Sequence, residues 1–284
     1  MTTDSQQKKA ETFRQLHADG VLVLPNAWDA VSAALVAEAG AAAVATTSAA
    51  VSWAAGRGDG QNLTREQMIE RVREIAAAVA VPVTADVEGG YGPAPEDVAA
   101  TVEGVIGAGA IGVNLEDSRR PGGPLFDIAE QTARLRAARE AAARAGLPQL
   151  VINARTDVYL FGIGAPEGRF DDVVARAAAY AEAGADSLFV PGLLDLDALR
   201  ELSGKSPLPI NVMTGPGAPA VSELAAAGVR RVSLGPVVAL AAYERVRTAA
   251  RELLTEGTYN ALAGALDFGA VEALLARPAG EAAS

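Results

Sequence analysis

The 284-residue chain contains no cysteine, which excludes disulfides, thiolate metal sites and a thiol nucleophile. Histidine occurs once, as His17 in the polar N-terminal segment, so a Ser-His-Asp triad lacks a suitable base. Lysine occurs only as Lys8, Lys9 and Lys205. Lys205 lies in the turn Ser203-Gly-Lys-Ser-Pro207, which leaves no good candidate for a buried Schiff-base lysine. No apolar run is long enough and free enough of charge to span a bilayer. Residues 1–11 are polar and carry no secretory signal pattern, so a cytoplasmic location is expected. Basic residues are the minority, 24 Lys+Arg against 35 Asp+Glu, for a net charge of −11. That balance argues against nucleic acid or an anionic membrane as partner. A small anionic substrate stays open, because local charge decides its binding. Carboxylates, arginines, hydroxyls and a bound cation remain as the means of chemistry.

From about residue 20, short β-like runs alternate with longer Ala-rich amphipathic stretches, the pattern of a parallel sheet. Strands are predicted near 21–26, 42–48, 81–88, 111–116, 150–155, 187–191, 209–213 and 231–235. Helices fit 29–39, 64–79, 95–108, 127–145, 169–183, 195–203, 218–227 and 237–254. Gly40, Gly109, Gly184 and Gly228 each follow a helix and precede a strand, as C-terminal caps do. Thr64 and Gln67 form a capping-box pattern, and Asp29 reads as an N-cap. Eight such units predict a (β/α)8 TIM-type barrel spanning 20–255. A doubly wound open sheet is the alternative, but no Gly-x-Gly-x-x-Gly follows the first strand. Residues 1–19 are read as an N-terminal helix or arm. Residues 256–284 are read as a C-terminal helix, over about 258–275, with a frayed end at 276–284. That helix either covers a neighbouring subunit or packs on its own barrel.

In a barrel, the C-terminal strand ends should carry the site. They bear Asn26; Thr46, Thr47 and Ser48; Asp86 and Glu88; Glu116 and Asp117; Asn153, Arg155 and Asp157; Asn211 and Met213; and Ser233. Asp59 lies in the loop after the second strand. Asp86 and Glu88 are two apart, on one face of a strand that breaks on Gly89, Gly90 and Gly92. Carboxylates at this density repel one another unless a cation neutralises them, and a divalent oxygen-ligated ion, Mg2+ or alternatively Mn2+, is the economical answer. Arg155 then either grips a substrate carboxylate or simply pairs with Asp157 or Glu116. Ser48 either hydrogen-bonds a substrate oxygen or caps a turn.

The ordered set Pro25-Asn-Ala-Trp-Asp29, Thr47-Ser48, Gly58-Asp59, Asp86-Val-Glu-Gly-Gly-Tyr-Gly92, Leu115-Glu-Asp117 and Asn153-Ala-Arg-Thr-Asp157 resembles the isocitrate lyase/phosphoenolpyruvate mutase superfamily over about residues 10–255. The resemblance implies an α/β barrel and a homo-oligomer, a dimer or a tetramer built from dimers that exchange a C-terminal helix. It implies Mg2+ and a small 2-oxo or 2-hydroxy carboxylate that passes through a pyruvate enolate. By position, Asp86 is the direct metal ligand, and Asp59, Glu88 and Glu116 hold its waters. Arg155, Ser48, Asp59 and Glu116 are the catalytic candidates. Thr46, Thr47, Ser48, Ala49, Ala50, Arg155 and Asn211 are the substrate-binding set.

Departures narrow the activity. The loop Ser118–Phe126 has no cysteine, histidine, lysine or asparagine, so it lacks the acid of the family's lyases and the loop asparagine of its phosphonomutases. Ala49 and Ala50 replace glycines. A decarboxylase needs mainly an electron sink, because CO2 leaves without a proton. The sequence therefore leads to an Mg2+-dependent carbon–carbon lyase, with oxaloacetate as trial substrate. A phosphonopyruvate mutase or hydrolase is the alternative, and a non-catalytic carboxylate-binding barrel the second.

Overall fold

A computed structural model describes residues 2–18 and 20–276. Of the expected frayed end, all but Ala276 lies outside them. Among the described residues the strands are β1 (Leu22–Leu24), β2 (Asn26–Ala27), β3 (Val44–Thr46), β4 (Val83–Asp86), β5 (Gly112–Glu116), β6 (Val151–Arg155), β7 (Ser187–Phe189), β8 (Ile210–Met213) and β9 (Val229–Ser233). All neighbouring pairs are parallel, and the sheet runs β1-β9-β8-β7-β6-β5-β4-β3-β2. β1 and β2 are two halves of one barrel strand, separated by Pro25. Proline has no N–H to give the ladder, so the strand bends there. Its first half pairs with β9 and its second with β3, which closes the ring. The predicted first strand at 21–26 is thus corrected to two short pieces.

The predicted caps organise the helices. Asp29 accepts from the Ser32 N–H at 2.7 Å, and Thr64 and Gln67 cap helix Arg65–Ala77 reciprocally. Gly40, Gly109, Gly184 and Gly228 all take positive φ.

The N-terminal arm forms a helix, and a short helix after β3 replaces the end of the strand predicted at 42–48. Helix Asp4–Leu16 starts at the Thr3 cap and closes the N-terminal mouth of the barrel. Its Phe13 is fully buried and packs edge-on against His17, with ring centroids 4.7 Å apart. His17 is therefore a barrel-floor residue, not part of a free polar segment. Helix Ser48–Ala54 begins directly at the end of β3.

The C-terminal region also differs from expectation. A 3-10 turn at Asn260–Leu262 is followed by helix Phe268–Ala276, in place of one helix over 258–275. That helix lies on helix Ala30–Glu38 of its own chain, with Leu274 buried. The eighth barrel helix, Val237–Glu256, buries only Ala239 among its residues. Val246 and Leu254 stay 67% and 85% exposed, and Val23 on β1 is also exposed. No helix among the described residues is long and apolar enough to cross a membrane.

Candidate active site

The C-terminal strand ends enclose a cavity of about 170 Å³. Thr46, Thr47, Ser48, Ala49, Asp59, Asp86, Arg155 and Asn211 all line it. Ala50 is buried beside it without lining it, and Glu88 and Glu116 stand behind its wall.

Asp86 ends β4 and is held from three sides. Its Oδ1 accepts from Asn114 Nδ2 at 3.0 Å and from the Glu88 N–H at 3.3 Å. Its Oδ2 accepts from the Ser48 N–H at 3.1 Å, the first amide of helix Ser48–Ala54. Its own N–H donates to Thr46 Oγ1 at 2.8 Å. Thr46 and Ser48 therefore position Asp86 in this state.

Glu88 turns off the strand at φ 50°, a conformation unusual for a side-chain-bearing residue. It accepts from the Gln61 N–H and from Tyr91 Oη at 3.0 Å. Burial, then the charge of Asp86, pushes its carboxyl up to about 7. Burial and Asp86 also push Asp59 up, with a Ser48 hydrogen bond acting against them. Glu116 is raised by burial and by Asp157, Asp86 and Glu88, while Arg155 pulls it back.

Arg155, on β6, donates from Nε to Asp157 at 2.6 Å and pairs through Nη1 with Glu116 at 3.0 Å. Burial alone lowers its guanidinium, and Glu116, Asp157 and Asp86 more than reverse this, so it stays charged. The plain ion pair left open by the sequence is thus present. Asp157 also accepts from Ser118 Oγ at 2.6 Å, which ties Arg155 to the first residue of the 118–126 loop.

Several partners were invisible in sequence. Asn114 points inward from mid-strand, and Arg176 reaches Asp117 from mid-helix at 3.1 Å. Burial, opposed by Arg176, pushes Asp117 up to about 6. Arg134 is buried in helix Ile128–Arg144 and donates to the carbonyls of Gly89, Gly92 and Pro93, pinning the loop after β4. Arg119 pairs with Glu130 and lies over the Phe126 ring. It is therefore held away from the cavity. Leu160, Phe189, Met213 and Pro236 add apolar surface to the lining.

A closed α/β barrel with clustered acids and an arginine at its C-terminal strand ends has the layout of a barrel enzyme, whose site lies at that face. The phosphoenolpyruvate phosphomutase family model matches residues 13–254, and the chain belongs to that family. This bears out the resemblance to the isocitrate lyase/phosphoenolpyruvate mutase superfamily. An uncharacterised protein of Mycobacterium tuberculosis is 38% identical over 230 residues, 80% of this chain and 82% of that protein. The 2-methylisocitrate lyase of Bacillus subtilis is 31% identical over 72% of this chain and 67% of its own length. The oxaloacetate decarboxylase of Rhodopseudomonas palustris is 34% identical over 54% of this chain and 52% of its own. Among solved structures, a provisionally named phosphonomutase of Burkholderia cenocepacia superposes with TM-score 0.82 at 48% identity. That match covers 86% of this chain and 99% of the other.

Proposed function

We propose that the protein is a divalent-ion-dependent lyase that cleaves a carbon–carbon bond in a small 2-oxo or 2-hydroxy carboxylate, most simply by decarboxylation of an oxaloacetate-like acid. The donor chemistry fits an ion. Asp59, Asp86, Glu88 and Glu116 lie in one cluster, and burial and mutual repulsion raise Asp59, Glu88 and Glu116. Among the described residues no three His, Asp or Glu side chains close on a single point. Mg2+ suits such a set, since it is commonly held by one or two carboxylates and several waters. Asp86 would hold it directly, and Asp59, Glu88 and Glu116 through water. When bound, the ion polarises a 2-oxo group and so supplies the electron sink.

The observation that carries the decarboxylase form is the cavity's mixed lining. Leu160, Phe189, Met213 and Pro236 line the cavity together with Asp59 and Asp86, and the 118–126 loop offers no side chain that can protonate a carbon. A carboxylate placed against these apolar side chains is poorly solvated, which favours its loss as neutral CO2. The bonding pair stays on the three-carbon fragment, which takes its proton from water. Ser48 and the backbone beside it orient the substrate, and Arg155 balances the charge of Glu116 and Asp157.

Purified protein with Mg2+ should form pyruvate from oxaloacetate faster than Mg2+ alone, and an equal rate rejects the decarboxylase. Calorimetry should show Mg2+-dependent oxalate binding that Asp86→Ala abolishes; no oxalate binding to wild type rejects the site itself. The identity to a provisionally named phosphonomutase keeps phosphonopyruvate as the second reading. Conversion of phosphonopyruvate, followed by 31P NMR, decides for it. Ligand binding with no product from either acid would identify a binding barrel. The exposed face of helix Val237–Glu256 and the bare Val23 region support a homo-oligomer, a dimer or tetramer, that covers both.

A further inference from the structure

Below the acids, the barrel interior is polar. Asn153 Nδ2 donates to Asn114 Oδ1 at 3.1 Å and to Asn211 Oδ1 at 3.0 Å, and Asn211 Nδ2 donates to Ser233 Oγ at 3.2 Å. Their remaining groups are met by neighbours: Asn114 Nδ2 donates to Asp86, Asn153 Oδ1 accepts from Ser187 Oγ, and Asn211 Nδ2 also donates to the carbonyls of Val212 and Arg231. Beneath them, Arg231 enters from β9 and lines the same cavity, 3% exposed. No carboxylate pairs with it among the described residues. Its Nη1 meets only His17 Nε2, at 3.4 Å, and its guanidinium lies 5.8 Å from the Phe13 ring centroid. Its Nε has no hydrogen-bond partner.

His17 cannot balance this charge. Burial, then Arg231, pushes its imidazole down to about 4, so near neutral pH it is uncharged. Burial also lowers Arg231 to about 9, with Asp86 acting against that from the far end of the cavity. Thr84 Oγ1 is a second buried polar atom without a partner, and it lines the same cavity. Gly112 keeps the space between these groups open. A Cβ there would stand 2.8 Å from Thr84 Oγ1 and 3.1 Å from Phe13 Cε1. An unpaired buried charge is among the costliest groups a fold can carry, and an orphaned hydroxyl adds to it.

We propose that Arg231 and Thr84 form an anion site on the barrel floor, beneath the carboxylate cluster, that takes a halide-sized ion or one carboxylate group of a bound acid. Arg231 Nε and the Thr84 hydroxyl are the donors. The site is separate from Arg155, whose charge is already met by Glu116 and Asp157.

Crystals of the full chain soaked in bromide test the inorganic source. An anomalous peak within hydrogen-bond distance of Arg231 Nε establishes it. Halide-free crystals with oxalate test the other source, and a carboxylate at the same point establishes that one. Water alone at this point in both overturns the proposal. In solution, bromide at fixed ionic strength should raise the Tm of wild type progressively relative to isethionate. Arg231→Met should lose that response. Should that variant not fold, Thr84→Val, nearly isosteric, should weaken the response. An undiminished response in the folded variants overturns the proposal.

Discussion

At the residue scale, the two titrations set by burial are open to measurement. His17 is the only histidine, so its ring proton signal in NMR is unambiguous. It should titrate near 4, well below the usual 6.5. Because the folded value is depressed, its contribution to stability is present above 6.5 and is lost as pH falls towards 4. A midpoint near 6.5 would show that His17 is not packed against Phe13 and Arg231. Glu88 runs the other way. Its folded value, about 7, is raised, so its contribution is present below about 4.5 and lost as pH rises through 7. A cation needs the ionised form, so the rise in Tm on adding Mg2+ should be larger at pH 8 than at pH 6. A Tm shift independent of pH would remove Glu88 from the ion's surroundings. Arg155→Ala should lower kcat/KM by about 10²-fold or more. It also strands two buried carboxylates, so Arg155→Lys is the partner variant: it should keep the fold and still lose activity, since Lys lacks the fork that bridges Glu116 and Asp157.

At the element scale, the turn after β7 packs against the Tyr159–Leu160 backbone beside the cavity. Gly192 has φ 88°, and a Cβ there would stand 2.9 Å from the Leu160 N and 3.0 Å from the Tyr159 carbonyl carbon. Both are backbone atoms and cannot swing aside. Gly192→Ala should cost about 1–3 kcal/mol in denaturant unfolding. It should also raise KM, because Leu160 lines the cavity. A neutral effect on both would mean that this loop is not held against the site. The 118–126 loop is an element of the same kind. Its first residue reaches Asp157 through Ser118 Oγ, and Phe126 lies under Arg119 and Arg134. Loop position and Arg155 orientation are thus linked through one carboxylate.

At the scale of the whole molecule, the barrel is closed except where its eighth helix departs. Val246, Leu253 and Leu254 present apolar surface on that helix, and large exposed apolar patches mark association sites. Light scattering after gel filtration should give a dimer or tetramer. Val246→Glu with Leu254→Glu should shift it towards smaller species. A wild-type monomer at micromolar concentration would reject the oligomer.

Much of this was legible in the chain itself. Helix and strand alternation, the glycine caps and the acids two apart on β4 are local patterns, and local sterics and hydrogen bonding enforce them. They led to the barrel and to Asp59, Asp86, Glu88, Glu116 and Arg155 at one end of it. The split of the first strand at Pro25 was less visible, because only the pairing of its two halves with β9 and β3 reveals it. The rest depended on which distant residues meet. Asn114 under Asp86, Arg176 beside Asp117 and Arg231 against His17 join positions 28, 59 and 214 residues apart. No periodicity encodes such pairs. Whether a buried charge finds a partner is settled only when the ring closes: Arg155 meets Glu116 and Asp157, while among the described residues Arg231 meets no carboxylate.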